Sequence, residues 1–214
     1  MIRLSARLLS TLAVAALTLA GLVSCEVFGP LGSGPFDTVV VDAGHGGHAN
    51  GARAYRGAYE KTVALDTAMR LAKNLRSRGF RVIVTRDSDR FVSLDQRVAI
   101  SNRTRGCIFV SVHYNWSPSR SPRGIETYYY SDRSALLARN IQSELLEAYS
   151  TVNRGVKRRG FYVLRKNARP AVLVECGFVS NPSDNEVIQS ARGRQRIADA
   201  IARGIVDTHR GRRP

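Results

Sequence analysis

The chain alternates between two apolar patterns. Short β-branched or aromatic runs at 38–41, 80–85, 107–113, 124–130, 161–164 and 171–176 predict strands, because such side chains pack well on a pleated, half-buried surface. Between them apolar residues return every three or four positions, the spacing of one helix face. Leu65, Ala68, Ala72 and Leu75 predict a helix over 60–78, with Gly79 placed for its C-terminal cap. Ser93-Leu94-Asp95-Gln96 has the form of a capping box that opens a helix to about residue 103. Leu137, Ile141 and Leu145 mark a helix over 135–149, Ser183-Asp184-Asn185-Glu186 reads as the cap of another, and a last one runs from about 194 to 209. This alternation predicts a single-domain α/β fold, a three-layer sandwich whose mostly parallel, twisted sheet is flanked by helices. Ligands of such sheets bind at the carboxyl ends of strands.

The first 24 residues stand apart from this pattern. Arg3 and Arg7 precede an apolar, small-residue-rich stretch at 8–23, which predicts an export signal. It is too short, and too soon followed by Gly and Pro, to predict a stable membrane-spanning helix. It ends in Leu22-Val23-Ser24-Cys25, similar to a bacterial lipobox, so Cys25 is expected to be lipidated and to hold the mature chain on a membrane, facing the periplasm or wall. Residues 25–36 are rich in Gly and Pro and read as a flexible tether; residues 37–214 form the domain. The net charge is +16, or (33 − 2) − 17 = +14 without residues 1–24. Such a charge favours anionic partners, and export argues against nucleic acid, leaving a membrane surface or an acidic polymer. The cations are overwhelmingly Arg, which also fits coding bias and a solvated surface. Cys107 and Cys176 are expected on parallel strands, roughly 20 Å apart at ~3.3 Å per residue. A disulfide needs Cα atoms within about 7 Å, so both are expected to be buried free thiols.

Four short pieces carry candidate chemistry: Asp42-Ala43-Gly44-His45-Gly46-Gly47, Tyr59-Glu60-Lys61, Ser111-Val112-His113-Tyr114-Asn115 and Val174-Glu175-Cys176-Gly177-Phe178. His45, His113 and Glu175 fall at or just past expected strand ends, hence on one edge of the sheet. Two histidines and a carboxylate suffice to hold a zinc ion with one position open to water, and a second carboxylate can act on that water. Each residue also has a plainer reading. His45 can brace a Gly-rich turn, and Glu60 can serve the dipole of a helix start. His48 is a rival ligand expected in a solvated loop, and His209 is expected to be exposed near the tail. Asp42 either orients a ligand imidazole or fixes the turn. Glu126 competes with Glu175 as base, but is expected to start a strand where Glu175 ends one. Cys176 alternates with Glu175 and should face the other side of the sheet. Among Tyr128, Tyr129 and Tyr130, alternation requires that at least one be core.

With these pieces the chain resembles the zinc-dependent N-acetylmuramoyl-L-alanine amidases over about residues 39–205. Val84-Thr85-Arg86-Asp87, Arg123-Gly124-Ile125-Glu126-Thr127-Tyr128-Tyr129, Arg154-Gly155-Val156-Lys157 and Gly177-Phe178-Val179-Ser180-Asn181 extend the likeness. The resemblance implies zinc ligands at His45, Glu60 and His113, a catalytic carboxylate at Glu175, and peptidoglycan as substrate, cut between N-acetylmuramic acid and L-alanine. Asn115 and Arg165 are expected substrate contacts. An activator protein is a further expected partner. The chain departs from the family pattern at Ala43, at Tyr114 and at Gly106-Cys107, and the segment after His113 leaves no room for the regulatory helix that some relatives insert. The competing readings are a zinc peptidase acting within the stem peptide and a non-enzymatic wall-binding lipoprotein.

Overall fold

The computed structural model describes residues 34–214. The expected leader, Cys25 and most of the tether lie outside the described residues. Six strands form one sheet: β1 (Thr38–Ala43), β2 (Arg81–Val84), β3 (Cys107–Asn115), β4 (Ile125–Tyr129), β5 (Asn153–Arg158) and β6 (Ala171–Phe178). Their order is β2-β1-β3-β6-β4-β5. The first four run parallel; β4 pairs antiparallel with β6 and parallel with β5. The helices are α1 (Glu60–Ser77), α2 (Leu94–Arg103), α3 (Ala135–Ala148), α4 (Tyr162–Arg165), α5 (Pro182–Gln189) and α6 (Ala191–His209).

Strand alternation assigns the two faces. Val39, Val41, Val110, Val112, Val172, Val174 and Cys176 pack with α1, α3 and α6 in the larger core, while Val40, Phe109 and Leu173 pack with Val98 of α2 and Val163 and Leu164 of α4 in the smaller one. Each such side chain, fully buried, contributes about 1.5–3 kcal/mol. The parity places Cys176 and Glu175 on opposite faces, as alternation predicts. It also puts Asp42, His113 and Glu175 on the thinner α2/α4 side at the carboxyl ends of their strands. Cys107 and Cys176 are free and buried. Among the described residues no helix is long and apolar enough to cross a membrane.

Local sequence chemistry sets the helix ends. After α1, Gly79 takes φ 92°; its N–H donates to Arg76 O (3.0 Å) and Phe80 N–H donates to Leu75 O (3.1 Å). This is a Schellman closure, with buried Leu75 and Phe80 as its apolar pair. At α2 the expected capping box forms: Gln96 N–H donates to Ser93 Oγ (3.2 Å) and Ser93 N–H to Gln96 Oε1 (2.9 Å). Ser93→Ala is expected to lower stability by about 1 kcal/mol, measured by denaturant unfolding.

Several expectations are corrected. The run 161–164 is not a strand but the start of the one-turn helix α4, since four apolar residues do not fix a period. Residues 153–158, rich in Arg and lacking an apolar face, form β5; an edge strand is stabilised by its partner's backbone and needs little core-facing side chain. Asn181, with Pro182 behind it, caps α5 in place of Ser183, accepting from Ser183 N–H (3.0 Å) and Asp184 N–H (3.2 Å). Helix α6 starts at Ala191, with Ser190 as its cap. His209 is buried, its ring edge-on to Phe36 and Phe80. The end of α6 therefore packs under the start of the domain, while residues 210–214 are exposed.

Candidate metal centre and active-site cleft

Three loops or strand ends meet at one point. His45 follows β1, Glu60 is the first residue of α1, and His113 lies near the end of β3. Glu60 Oε1 is 3.0 Å from His45 Nε2 and 2.9 Å from His113 Nδ1, and the three candidate ligand atoms all lie within 4.8 Å of one another. Two imidazole nitrogens and one carboxylate oxygen gathered this closely match the donor set of a first-row divalent metal site. The other oxygen, Oε2, accepts from Ala52 N–H (2.9 Å), and Oε1 also accepts from Tyr114 N–H (3.1 Å). Burial pushes the Glu60 carboxyl up, but hydrogen bonds and charge from His113 and His45 outweigh it and hold the group well below the usual carboxylate range. Burial opposes protonation of His113, and the Glu60 carboxylate raises its pKa.

The backbone yields space and strain to this cluster. A Cβ on Gly44 would lie 2.4 Å from the His113 ring, and one on Gly51 would lie 2.6 Å from Glu60 Oε2. His45 itself adopts φ 62°, a left-handed conformation rare for a residue with a side chain. Two buried arginines hold that turn. Arg97 of α2 donates to Asp42 Oδ1 (2.5 Å), Ala43 O (2.6 Å), His45 O (2.6 Å) and Val92 O (3.0 Å). Arg86 donates to Ala43 O, Gly44 O, Lys61 O and Ser88 O. Asp42 accepts from Arg97, Thr85 and Ser111. Of its two expected roles, the hydrogen bonds support fixing the turn. His48 is exposed and stacks on Phe91 with ring centroids 4.1 Å apart, outside the ligand cluster.

The cluster lines a cleft of about 580 Å³ shared with Asn115, Glu175, Phe91, Leu94, Trp116, Phe161 and Tyr162. The antiparallel β4 changes one expectation. Glu126 does start its strand, yet it is the register partner of Glu175, so both carboxylates stand on the same edge. Their partners differ. Glu126 accepts from Asn115 Nδ2 (2.5 Å) and from Lys157 Nζ, and is ion-paired with Arg154, whose Nε lies 3.4 Å from Oε2 without hydrogen-bonding to it. Burial raises its carboxyl, and Lys157 and Arg154 more than offset this, leaving it lowered. Glu175 Oε2 is buried without a hydrogen-bond partner among the described residues. Burial, with Glu60 and Glu126 nearby, pushes Glu175 up to about 8 against the opposing pull of His113. Asn115 thus lines the cleft. Arg165 ends α4, is exposed, and does not line the cleft. Tyr114 is buried, with its hydroxyl hydrogen-bonded to Thr67 on α1 (2.6 Å). The segment between β3 and β4 holds no helix. Sequence reasoning did not single out Arg97 or the aromatic rim of Phe91, Trp116 and Phe161, and it met Arg86 only as part of the Val84–Asp87 motif; only the exposure of these apolar residues beside a polar cluster identifies the rim.

One edge of the sheet thus gathers two imidazoles and a carboxylate that could hold a metal ion, with a second carboxylate lining the same cleft. The chain belongs to the N-acetylmuramoyl-L-alanine amidase family (Amidase_3), whose model matches residues 39–207. It is 40% identical over 172 residues to YqiI of Bacillus subtilis (strain 168), covering 78% of this chain and 82% of that one. To N-acetylmuramoyl-L-alanine amidase LytC of the same organism it is 37% identical over 178 residues, 81% of this chain but 36% of LytC. The chain thus spans about a third of that relative. The solved amidase AmiC2 of Nostoc punctiforme superposes with a TM-score of 0.78 at 39% identity, covering 83% of this chain and 98% of that one.

Proposed function

We propose that this chain is a zinc-dependent hydrolase of the amide bond joining the lactyl group of N-acetylmuramic acid to L-alanine in peptidoglycan. One observation carries the reading: a partner-free glutamate, Glu175, faces the same cleft as the convergent set His45, Glu60 and His113, in a chain of the amidase family. Those three residues would hold the zinc. When bound, it supplies a Lewis acid that makes water a nucleophile near neutral pH and polarises the scissile carbonyl.

The remaining work falls to the chain. Glu175 removes a proton from the attacking water and delivers it to the leaving alanine nitrogen, so its carboxyl must bind and release one proton per turnover. Burial moves it toward neutrality, where general acid–base exchange is most effective. Glu126 cannot share that task while it is hydrogen-bonded to Asn115 and Lys157 and ion-paired with Arg154. It instead holds the Asn115 amide, whose Oδ1 accepts from Trp116 N–H (2.8 Å), in place along the cleft wall. Arg97 and Arg86 keep His45 in its strained turn.

Digestion of purified wall sacculi with mass analysis of the products tests the reading. Release of intact stem peptides with a free L-alanine amine is the expected result. Cleavage inside the stem would establish the peptidase alternative, and no cleavage the non-enzymatic one. We also propose that lipidation of Cys25 anchors the mature chain to the membrane. Cys25→Ser is then expected to shift the protein from the membrane fraction to the soluble fraction or to block its processing. Unchanged fractionation and processing would refute the anchor.

A further inference from the structure

Beyond Trp116 the cleft opens into a second, smaller hollow of about 290 Å³, with Arg53, Tyr55, Trp116, Ser117, Arg120 and Ser180 among its lining residues. Trp116 is the residue common to both cavities. It is half-exposed and lies three residues past His113. The lining of the small hollow includes no carboxylate.

This hollow is built, not an accident of loose loops. Arg53 directly follows Ala52, whose N–H donates to Glu60 Oε2. Tyr55 N–H donates to Val179 O (2.8 Å), and Val179 N–H donates to Asn115 O (2.9 Å). On the other wall, Ser117 N–H donates to Ser180 Oγ (3.0 Å), and Asn181 Nδ2 donates to Arg120 O (2.7 Å). The hollow is therefore tied through short backbone links to two of the three metal-site residues. The Arg120 guanidinium lies over the Tyr55 ring, 4.2 Å from its centroid, an arrangement that orients the cation without neutralising it. Neither Arg53 nor Arg120 is ion-paired among the described residues. Most other cations near the cleft are committed: Arg86 and Arg97 to the turn, Lys61 to Asp89, Lys157 to Glu126.

The cleft and the hollow differ in chemistry. Phe91, Leu94 and Phe161, which line the cleft, are apolar and exposed, suited to the C–H faces of a sugar ring. The hollow beyond Trp116 is cationic. On the proposed reaction, on which this inference rests, the scissile amide has a sugar on its carbonyl side and a carboxylate-bearing peptide on its amine side. We infer that the Arg53/Arg120 hollow is the stem-peptide subsite, binding a stem carboxylate, and that the substrate crosses the metal site with its glycan over the aromatic rim and its peptide past Trp116.

The test compares two synthetic substrates, N-acetylmuramoyl-L-Ala-D-Glu and the same compound with both glutamate carboxylates amidated. Wild type is expected to favour the free acid by about tenfold in kcat/KM, the size of one charge-assisted contact at ~1.4 kcal/mol. That preference should shrink as salt is added, because the hollow is open to solvent. Arg53→Gln with Arg120→Gln should abolish it through a raised KM for the acid, with kcat retained, while Arg53→Lys with Arg120→Lys keeps most of it. Both positions are exposed, and far-ultraviolet circular dichroism confirms that the variants fold. If wild type cleaves both compounds and the Gln pair keeps the full preference, the stem subsite is wrong and the amidase reading stands. If wild type cleaves neither, the amidase reading fails and this inference falls with it.

Discussion

Glu175→Gln is expected to leave fold and bound metal intact while turnover falls ~10²–10⁴-fold, the range of a lost general acid–base group. Glutamine keeps the shape of the side chain and can still hydrogen-bond, so the local packing of β6 against β3 and β4 has no reason to change. What it cannot do is accept a proton from water. Glu175 is suited to that step because its Oε2 has no hydrogen-bond partner among the described residues, and burial raises its pKa, which makes the carboxylate a stronger base. An unpartnered buried carboxylate is costly, so its presence needs a compensating role. Glu126→Gln is the control. It removes the charge that Lys157 and Arg154 neutralise and weakens the hold on Asn115, so a smaller loss, expressed in KM more than in kcat, is expected. Near-normal turnover in Glu175→Gln beside collapse in Glu126→Gln, with metal retained in both, would move the base to β4.

The relation between those two glutamates shows where a sequence is legible and where it is not. A β-branched run reveals a strand, and a Gly-rich turn after it reveals a sheet edge, so the sequence alone puts His45, His113 and Glu175 on one edge. Strand direction leaves no such trace. Ile125–Tyr129 has the same composition whether parallel or antiparallel, and only its direction decides whether Glu126 is remote from Glu175 or beside it. Strand β5 was invisible for a related reason: Asn153–Arg158 lies at the edge, where hydrogen bonds to β4 suffice and the apolar signature of a buried strand is not required. The run at 161–164 failed differently, since four apolar residues satisfy a strand and a helical turn equally well. The burial of Arg97 and Arg86 is not legible because the chain is crowded with Arg; nothing local distinguishes a buried arginine that donates to three or four backbone carbonyls from a solvated one. In each case the missing information was which surface the residue meets, and that is set by parts of the chain distant in sequence.

His113→Ala is expected to lose metal and activity together, in contrast to Glu175→Gln, and chelation of the wild-type chain is expected to do the same reversibly. His113 Nδ1 and His45 Nε2 both point at Glu60 Oε1, so removing one imidazole removes a third of the donor set and leaves two ligands, too few to hold the ion against water. The loss should be visible without any assay of turnover. A metal that binds only the folded state stabilises it by RT ln(1 + [L]/Kd), about 2.7 kcal/mol at a hundredfold excess over Kd, so zinc should raise the melting temperature of the chelated wild type and of Glu175→Gln. It should not raise that of His113→Ala. The variant should also be less stable without metal, because Glu60 is only 4% exposed and loses one of the groups that keep it ionised; its bonds from Ala52 N–H and Tyr114 N–H remain, which limits the damage to a partial rather than a complete loss of folding. A thoroughly chelated wild type that still digests sacculi at full rate, or a zinc-dependent thermal shift that survives His113→Ala, would show that the cluster of His45, Glu60 and His113 is a structural hydrogen-bond triad and that the cleft works by other means.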